Sequence, residues 1–147
     1  MTRILGLDVG SKTIGIAITD ESGRIAFPGT TLVRQEGWKR DMATLRALVH
    51  ERRISLIVVG MPVMMNGAHG VQADKVTAFV ERLRRNVRIP IVLQDERLST
   101  REAERLLAEA DHTPSDRKRV VDSVAASIIL QAYIDHNEAT EIEFDKE

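Results

Sequence analysis

Ile4-Leu5-Gly6-Leu7-Asp8-Val9-Gly10-Ser11-Lys12-Thr13-Ile14-Gly15-Ile16-Ala17-Ile18-Thr19-Asp20 reads as two apolar, strand-like runs meeting at a tight turn around Asp8, Gly10 and Lys12. Ile4 to Val9 is apolar except at Gly6 and Asp8, as a buried central strand requires. A carboxylate at the end of such a strand loses water, which is costly unless a cation or hydrogen-bond donors replace it. Asp8 is therefore either a ligand-holding acid or the head of an Asx turn that accepts from the backbone N–H of Gly10 or Ser11.

Working outward, the spacing predicts strands over 3–9 and 13–19, the second carrying β-branched residues at 14, 16 and 18. A third strand follows over 24–33, with a bulge or break at Pro28-Gly29. Links this short impose an antiparallel meander. Helical spacing of Trp38, Met42, Leu45, Leu48 and Val49 predicts a helix over 37–52. A short buried strand from Leu56 to Val59, a loop from Gly60 to Gly70, a helix from Val71 to Arg85 and a strand from Ile89 to Leu93 come next. Ser99-Thr100-Arg101-Glu102 has the capping-box form, and Thr113-Pro114 starts a last helix running to about Asp135. The order predicts an α/β fold on a mixed five-stranded sheet, three antiparallel strands first, flanked by helices. Residues 1–137 read as one domain and 138–147 as an acidic, mobile tail.

The chain has 147 residues, enough for one proper core. Aromatic residues make up only 3%, so Ile, Val, Leu and Ala must build that core. Cysteine is absent, which excludes disulfides and thiolate metal sites and suits a reducing cytoplasm. No run is long enough to cross a membrane, and no signal peptide is visible, so the expected location is cytoplasmic. The net charge of −1 gives no global sign of a polyanion partner. Locally, Arg82, Arg84, Arg85 and Arg88 cluster, as do Arg117, Lys118 and Arg119; each group is a solvated helix face or a polyanion site.

Two further acids stand out. Glu96 falls between the end of the fifth strand and a helix N-cap, where α/β sheets place their ligands. Asp122 lies in the last helix and shares a stripe with Ala125, Ala126 and Ile129, an odd place for a carboxylate. The alternative for Asp122 is a helical ion pair with Lys118 or Arg119. If Asp8, Glu96 and Asp122 converge at one sheet end, their repulsion calls for positive charge. Oxygen-only ligands favour Mg²⁺ or Mn²⁺, one or two ions, and such sites suit phosphodiester hydrolysis by water.

Four motifs in this order resemble those of the YqgF family, also called RuvX, in the RNase H-like superfamily that includes the RuvC resolvases. They are Leu7-Asp8-Val9-Gly10-Ser11-Lys12-Thr13-Ile14-Gly15-Ile16-Ala17, Val58-Val59-Gly60-Met61-Pro62 with Asn66-Gly67, Asp95-Glu96-Arg97-Leu98-Ser99-Thr100, and Asp122-Ser123-Val124-Ala125-Ala126 with Ile129-Leu130-Gln131. The resemblance implies an RNase H-like fold and a metal-dependent nuclease, with Asp8, Glu96 and Asp122 at the family's acid positions. It also implies maturation of the 5′ end of the small-subunit (16S) ribosomal RNA precursor, with Holliday junction resolution on branched DNA as the older suggestion. Met61 stands where Leu is usual, and Thr13 where many relatives carry Arg; the second departure removes a possible phosphate contact and leaves Lys12 to serve alone. Asp95 is a spare candidate acid, read as structural or as a support behind the other three.

Lys12 on the turn is either a phosphate contact or a solvated lysine. Arg97 clamps a phosphate or orients Glu96. Gly60, Pro62, Asn66 and Gly67 belong to a loop whose glycines let backbone approach a substrate, ahead of a helix N-terminus suited to phosphate. Two rival classes are an ATPase fragment of the actin or sugar-kinase type, which opens on a similar Asp-x-Gly turn, and a non-catalytic RNA-binding assembly factor. Scarce aromatics argue against base stacking and for recognition through backbone charge. The chain is expected to act as a monomer or homodimer; only a junction resolvase needs two symmetric sites.

Overall fold

The computed structural model describes the backbone of residues 3–62, 70–95 and 114–145, with side chains for all of these except 114–120 and 138–145. Five strands form one mixed sheet in the order β3-β2-β1-β4-β5. These are β1 (Arg3–Val9), β2 (Thr13–Thr19), β3 (Ala26–Val33), β4 (Ile54–Met61) and β5 (Ile91–Asp95). β1–β2 and β2–β3 are antiparallel, whereas β4 and β5 run parallel to β1. β1 is thus the central strand, which explains its nearly unbroken apolar run: both of its faces are covered.

Helices α1 (Lys39–Glu51) and α2 (Val71–Arg84) cover one face, and α3 (Pro114–Asp145) crosses the other. Leu5, Leu7, Ile14, Ile57 and Val59 point toward α1 and α2, where Leu45, Val76, Phe79 and Leu83 meet them. Ile4, Ala17 and Val58 point the other way, onto Ala126, Ile129 and Leu130 of α3. The period-2 alternation of the strands sorts these residues between the two cores.

The boundaries follow local chemistry. Pro28 sits on the edge strand β3, where its missing N–H costs no ladder bond. The expected irregularity is there: Ala17 pairs with Pro28 but Gly15 pairs with Thr31, so β3 carries an extra residue. β5 starts at Ile91, two residues later than expected, because Pro90 cannot donate; its carbonyl instead accepts from the Ile57 N–H at 3.0 Å. β4 is longer than expected because both ends find partners, Ile54 opposite Arg3 and Met61 opposite Asp95. α3 begins at Pro114, the expected first helical position, and runs past Asp135 to Asp145. The capping box at Ser99 and the N-cap at Thr113 lie outside the described residues.

Candidate functional site

Asp8 occupies the carboxyl end of β1, and the carboxyl ends of the parallel strands β4 and β5 open on the same side. Along β1, Ile4 packs in the α3-facing core and Gly6 lies against Leu130 and the Ala126 carbonyl. The same alternation puts Asp8 on the α3 face. The Gly10 N–H donates to the Thr13 carbonyl at 2.8 Å, closing the β1–β2 turn.

Asp122 comes to this spot from the other side. Ala125, Ala126 and Ile129 of α3 are fully buried against the sheet, so the stripe read from the sequence is the sheet-facing one. Gly15 of β2 sets the contact. It is the register partner of Asp8 across the β1–β2 ladder, and a Cβ built on it would fall inside the Asp122 carbonyl group, with the Asp122 Cα at 3.1 Å. Antiparallel partners stand about 4.5–5.5 Å apart at Cα. One glycine therefore touches both acids' backbones, which brings Asp8 and Asp122 together on one face. Thr13 then fixes the second carboxylate: its hydroxyl donates to Asp122 Oδ2 at 2.6 Å. Thr13, notable in the sequence only for replacing an arginine, is here a positioning residue for Asp122. The side chains of Lys118 and Arg119, the alternative partners, lie outside the described residues.

The turn bearing Lys12 is held from several directions. Arg34, just past β3, donates to the Gly10 carbonyl at 2.9 Å, and its own N–H reaches the Lys12 carbonyl at 2.9 Å. Its guanidinium pairs with the buried Asp41 at 3.4 Å and lies over Trp38 and Phe79 at 5.4 and 5.6 Å from the ring centroids. Gln72, in the first turn of α2, donates to the Val9 carbonyl at 3.3 Å, which places that helix N-terminus beside the end of β1. Lys12 itself is exposed and, with Ser11, Arg34, Trp38 and Lys75, lines a concavity of about 770 Å³. Neither Arg34 nor Gln72 had a signal in the motifs; each reaches the turn from a separate element.

Gly60 is buried and paired with Gln94 within β4, so the loop begins at Pro62 rather than at Gly60. Asn66, Gly67, Glu96 and Arg97 lie outside the described residues. Asp95 shares the strand parity of Ile91, which packs toward α1 and α2, so it stands on the face away from α3. Among the described residues no group of three or more His, Asp or Glu side chains forms a metal-binding cluster. What the arrangement offers is two carboxylates on one face, with hard oxygen donors only. No helix among the described residues is long and apolar enough to cross a membrane.

Comparison with known proteins agrees with this geometry. The sequence profile of the RuvX family, described as "Holliday junction resolvase", matches residues 2–136. A protein of Thermoanaerobacter pseudethanolicus named "Putative pre-16S rRNA nuclease" is 48% identical over 134 residues, covering 90% of this chain and 96% of its own. A Clostridioides difficile protein of the same name is 46% identical over 133 residues, covering 90% and 94%. Among solved structures, Thermus thermophilus RuvC in complex with a Holliday junction substrate superposes with a TM-score of 0.61 at 14% identity, covering 95% of this chain and 98% of that one. The fold is that of RuvC, the RNase H-like arrangement expected from the motifs.

Proposed function

Since the chain belongs to the RuvX family, we propose that it is a divalent-metal-dependent nuclease that hydrolyses phosphodiester bonds, processing the 5′ end of pre-16S ribosomal RNA in the cytoplasm. The observation that supports this reading is that the Asp122 backbone rests on Gly15, the register partner of Asp8 at the carboxyl end of the central strand, while the Thr13 hydroxyl donates to the Asp122 carboxylate. The donor set fits a hard cation: carboxylate oxygens, no thiolate anywhere in the chain, and an acid, Glu96, next in sequence after β5. Asp8, Asp122 and Glu96 are the residues that would hold Mg²⁺ or Mn²⁺, one ion or two. A bound ion supplies charge neutralisation at the scissile phosphate and lowers the pKa of the attacking water.

The protein's own part is positioning. Asp8 is fixed by the central strand, and Thr13 holds Asp122 in one orientation through a charge-assisted hydrogen bond. Lys12 meets a non-bridging phosphate oxygen from the turn that Arg34 braces. Arg97 and the loop carrying Pro62, Asn66 and Gly67 supply the remaining substrate contacts, and the N-terminus of α2 adds its dipole on the same side. The relatives' name favours precursor RNA. The family's description favours branched DNA as the second reading, for which a homodimer with two sites is the natural form.

The test is to offer labelled pre-16S RNA and a four-way DNA junction side by side, with Mg²⁺, Mn²⁺ or EDTA. Metal-dependent cutting of the RNA is expected. Cutting of the junction alone moves the assignment to a resolvase, and binding of RNA with no cutting of either moves it to an assembly factor.

A further inference from the structure

We propose a second phosphate-binding surface, for the backbone of the same RNA, at the end of the sheet opposite Asp8; it rests on the reading of this chain as an RNA-processing nuclease. There Arg46, His50 and Arg53 from α1 and its exit meet Arg88 around a concavity of about 780 Å³, in which Glu51 is the one acid. All four basic groups are exposed, and neither ion pair seen among the described residues involves them. Arg46 is braced toward the cavity by a hydrogen bond to Asn86 at 3.0 Å. The arginine run read from the sequence thus divides: Arg82 lies over Trp38 at 5.4 Å, while Arg88 joins the α1 residues. In a chain of net charge −1, this is a marked local excess of positive charge.

Compensation of helix dipoles explains part of it, because α1 and α2 both end here and basic groups suit helix C-termini. That effect fades beyond the last turn. Arg46 lies more than a turn before the end of α1, and Arg88 lies past the end of α2. Arg53 adds an independent sign. Its φ of +53° is the left-handed conformation that ends many helices, where glycine fits best and a side chain is strained. An arginine in this strained conformation, with its side chain at the cavity, suits use of its guanidinium. Arginine forks suit phosphate oxygens. Arg3, at the start of β1, is paired with Ile54 beside this cavity, about 16 Å from Asp8 at about 3.3 Å per residue. A structured RNA cut at Asp8 can therefore lay a neighbouring stretch of backbone here.

Arg53→Gly separates this role from folding, since glycine relieves the strain. Binding of a fluorescein-labelled pre-16S fragment is measured in EDTA over a range of salt for wild type, Arg53→Gly and Arg46→Gln/Arg88→Gln, with Tm recorded for each. Arg53→Gly is expected to keep or raise Tm while weakening binding about threefold. The double variant should weaken it about tenfold and flatten the log–log salt slope by about 1.5, as each lost phosphate contact removes about 0.7–0.9. Wild-type binding with unchanged variants overturns this surface alone. Failure of the wild type to bind any RNA overturns the proposed function along with it.

Discussion

Gly15→Ala is the sharpest perturbation the structure offers, because the added methyl has nowhere to go. Its position coincides with the Asp122 carbonyl, and the Asp122 Cα stands 3.1 Å away, whereas non-bonded carbons pack at about 3.5–4.0 Å. A flexible side chain would turn aside, but the obstacle is helix backbone. α3 must therefore retreat by on the order of 1 Å, and a gap of about 0.5–1 Å forfeits a quarter to a half of each dispersion contact along the seam. The seam is large: Ala126, Ile129, Leu130 and Ile134 lie in it against Ile4, Ala17 and Val58. Overpacking usually costs about 1–3 kcal/mol; with backbone as the obstacle we expect the upper end or beyond, about 3–5 kcal/mol, a large share of a typical stability of about 5–15 kcal/mol. At roughly 2–4 °C per kcal/mol for a domain near this size, Tm should fall by about 8–15 °C. Thermal unfolding followed by circular dichroism reads this out. Gly10→Ala is the control, since the nearest atoms to its methyl all belong to Thr13 of the turn, the carbonyl at 3.0 Å and the hydroxyl at 3.8 Å, and it should cost about 1 kcal/mol or less. A Gly15→Ala protein melting within about 2 °C of wild type would refute the close approach of α3 to β2, and with it the route by which Asp122 reaches Asp8.

Thr13→Val keeps the volume and removes the donor to Asp122; a hydrogen bond to a charged group is worth about 1.5–3 kcal/mol, so stability should drop by about 1–2 kcal/mol and cleavage about tenfold, with Thr13→Ser restoring both. Unchanged cleavage in Thr13→Val would remove its positioning role. Arg34→Ala leaves Asp41, 1% exposed, with the Gln35 N–H at 3.1 Å as its remaining partner among those described; a loss of about 2–4 kcal/mol is expected in urea unfolding, because an orphaned buried charge is costly. Asp20, whose carboxylate accepts from the Ser22 hydroxyl and from the backbone N–H groups of Arg24 and Ile25, has its pKa lowered below the ordinary carboxylate value, the Ser22 hydrogen bond being the largest cause. The stability it lends is complete above that value and is lost as pH falls through the lowered folded pKa. Ser22→Ala should therefore raise the pH at which the Asp20 carboxyl titrates by NMR, and an unmoved titration would contradict the assigned cause.

The sheet was legible because its signals are local. Alternation and unbroken apolar runs placed β1 and β2 at their observed bounds, and Pro28-Gly29 marked the bulge on β3. The errors fell where pairing partners decide the ends, as at β4, or where one missing N–H shifts a start, as at Pro90 before β5. That Asp122 lies near the strand bearing Asp8 could not be read from the motifs alone, because it depends on the packing of α3 on Gly15. What the motifs did not reveal were the braces. Arg34 and Gln72 hold the turn through backbone carbonyls, and a contact to a carbonyl leaves no mark on the identity of its acceptor. Thr13 drew notice as a departure from the family pattern, and its hydroxyl turned out to serve the second acid.

If Asp8 and Asp122 form one site, their effects on catalysis belong to that site jointly. Single-turnover cleavage of pre-16S RNA in Mg²⁺ should be measured for wild type, Asp8→Asn, Asp122→Asn and the double variant, each verified as folded. Each single change is expected to cost about 10³-fold or more, and the double little beyond the worse single, since residues acting as a unit are far from additive. Full cleavage in Asp8→Asn, or losses that simply multiply in the double, would contradict a shared site.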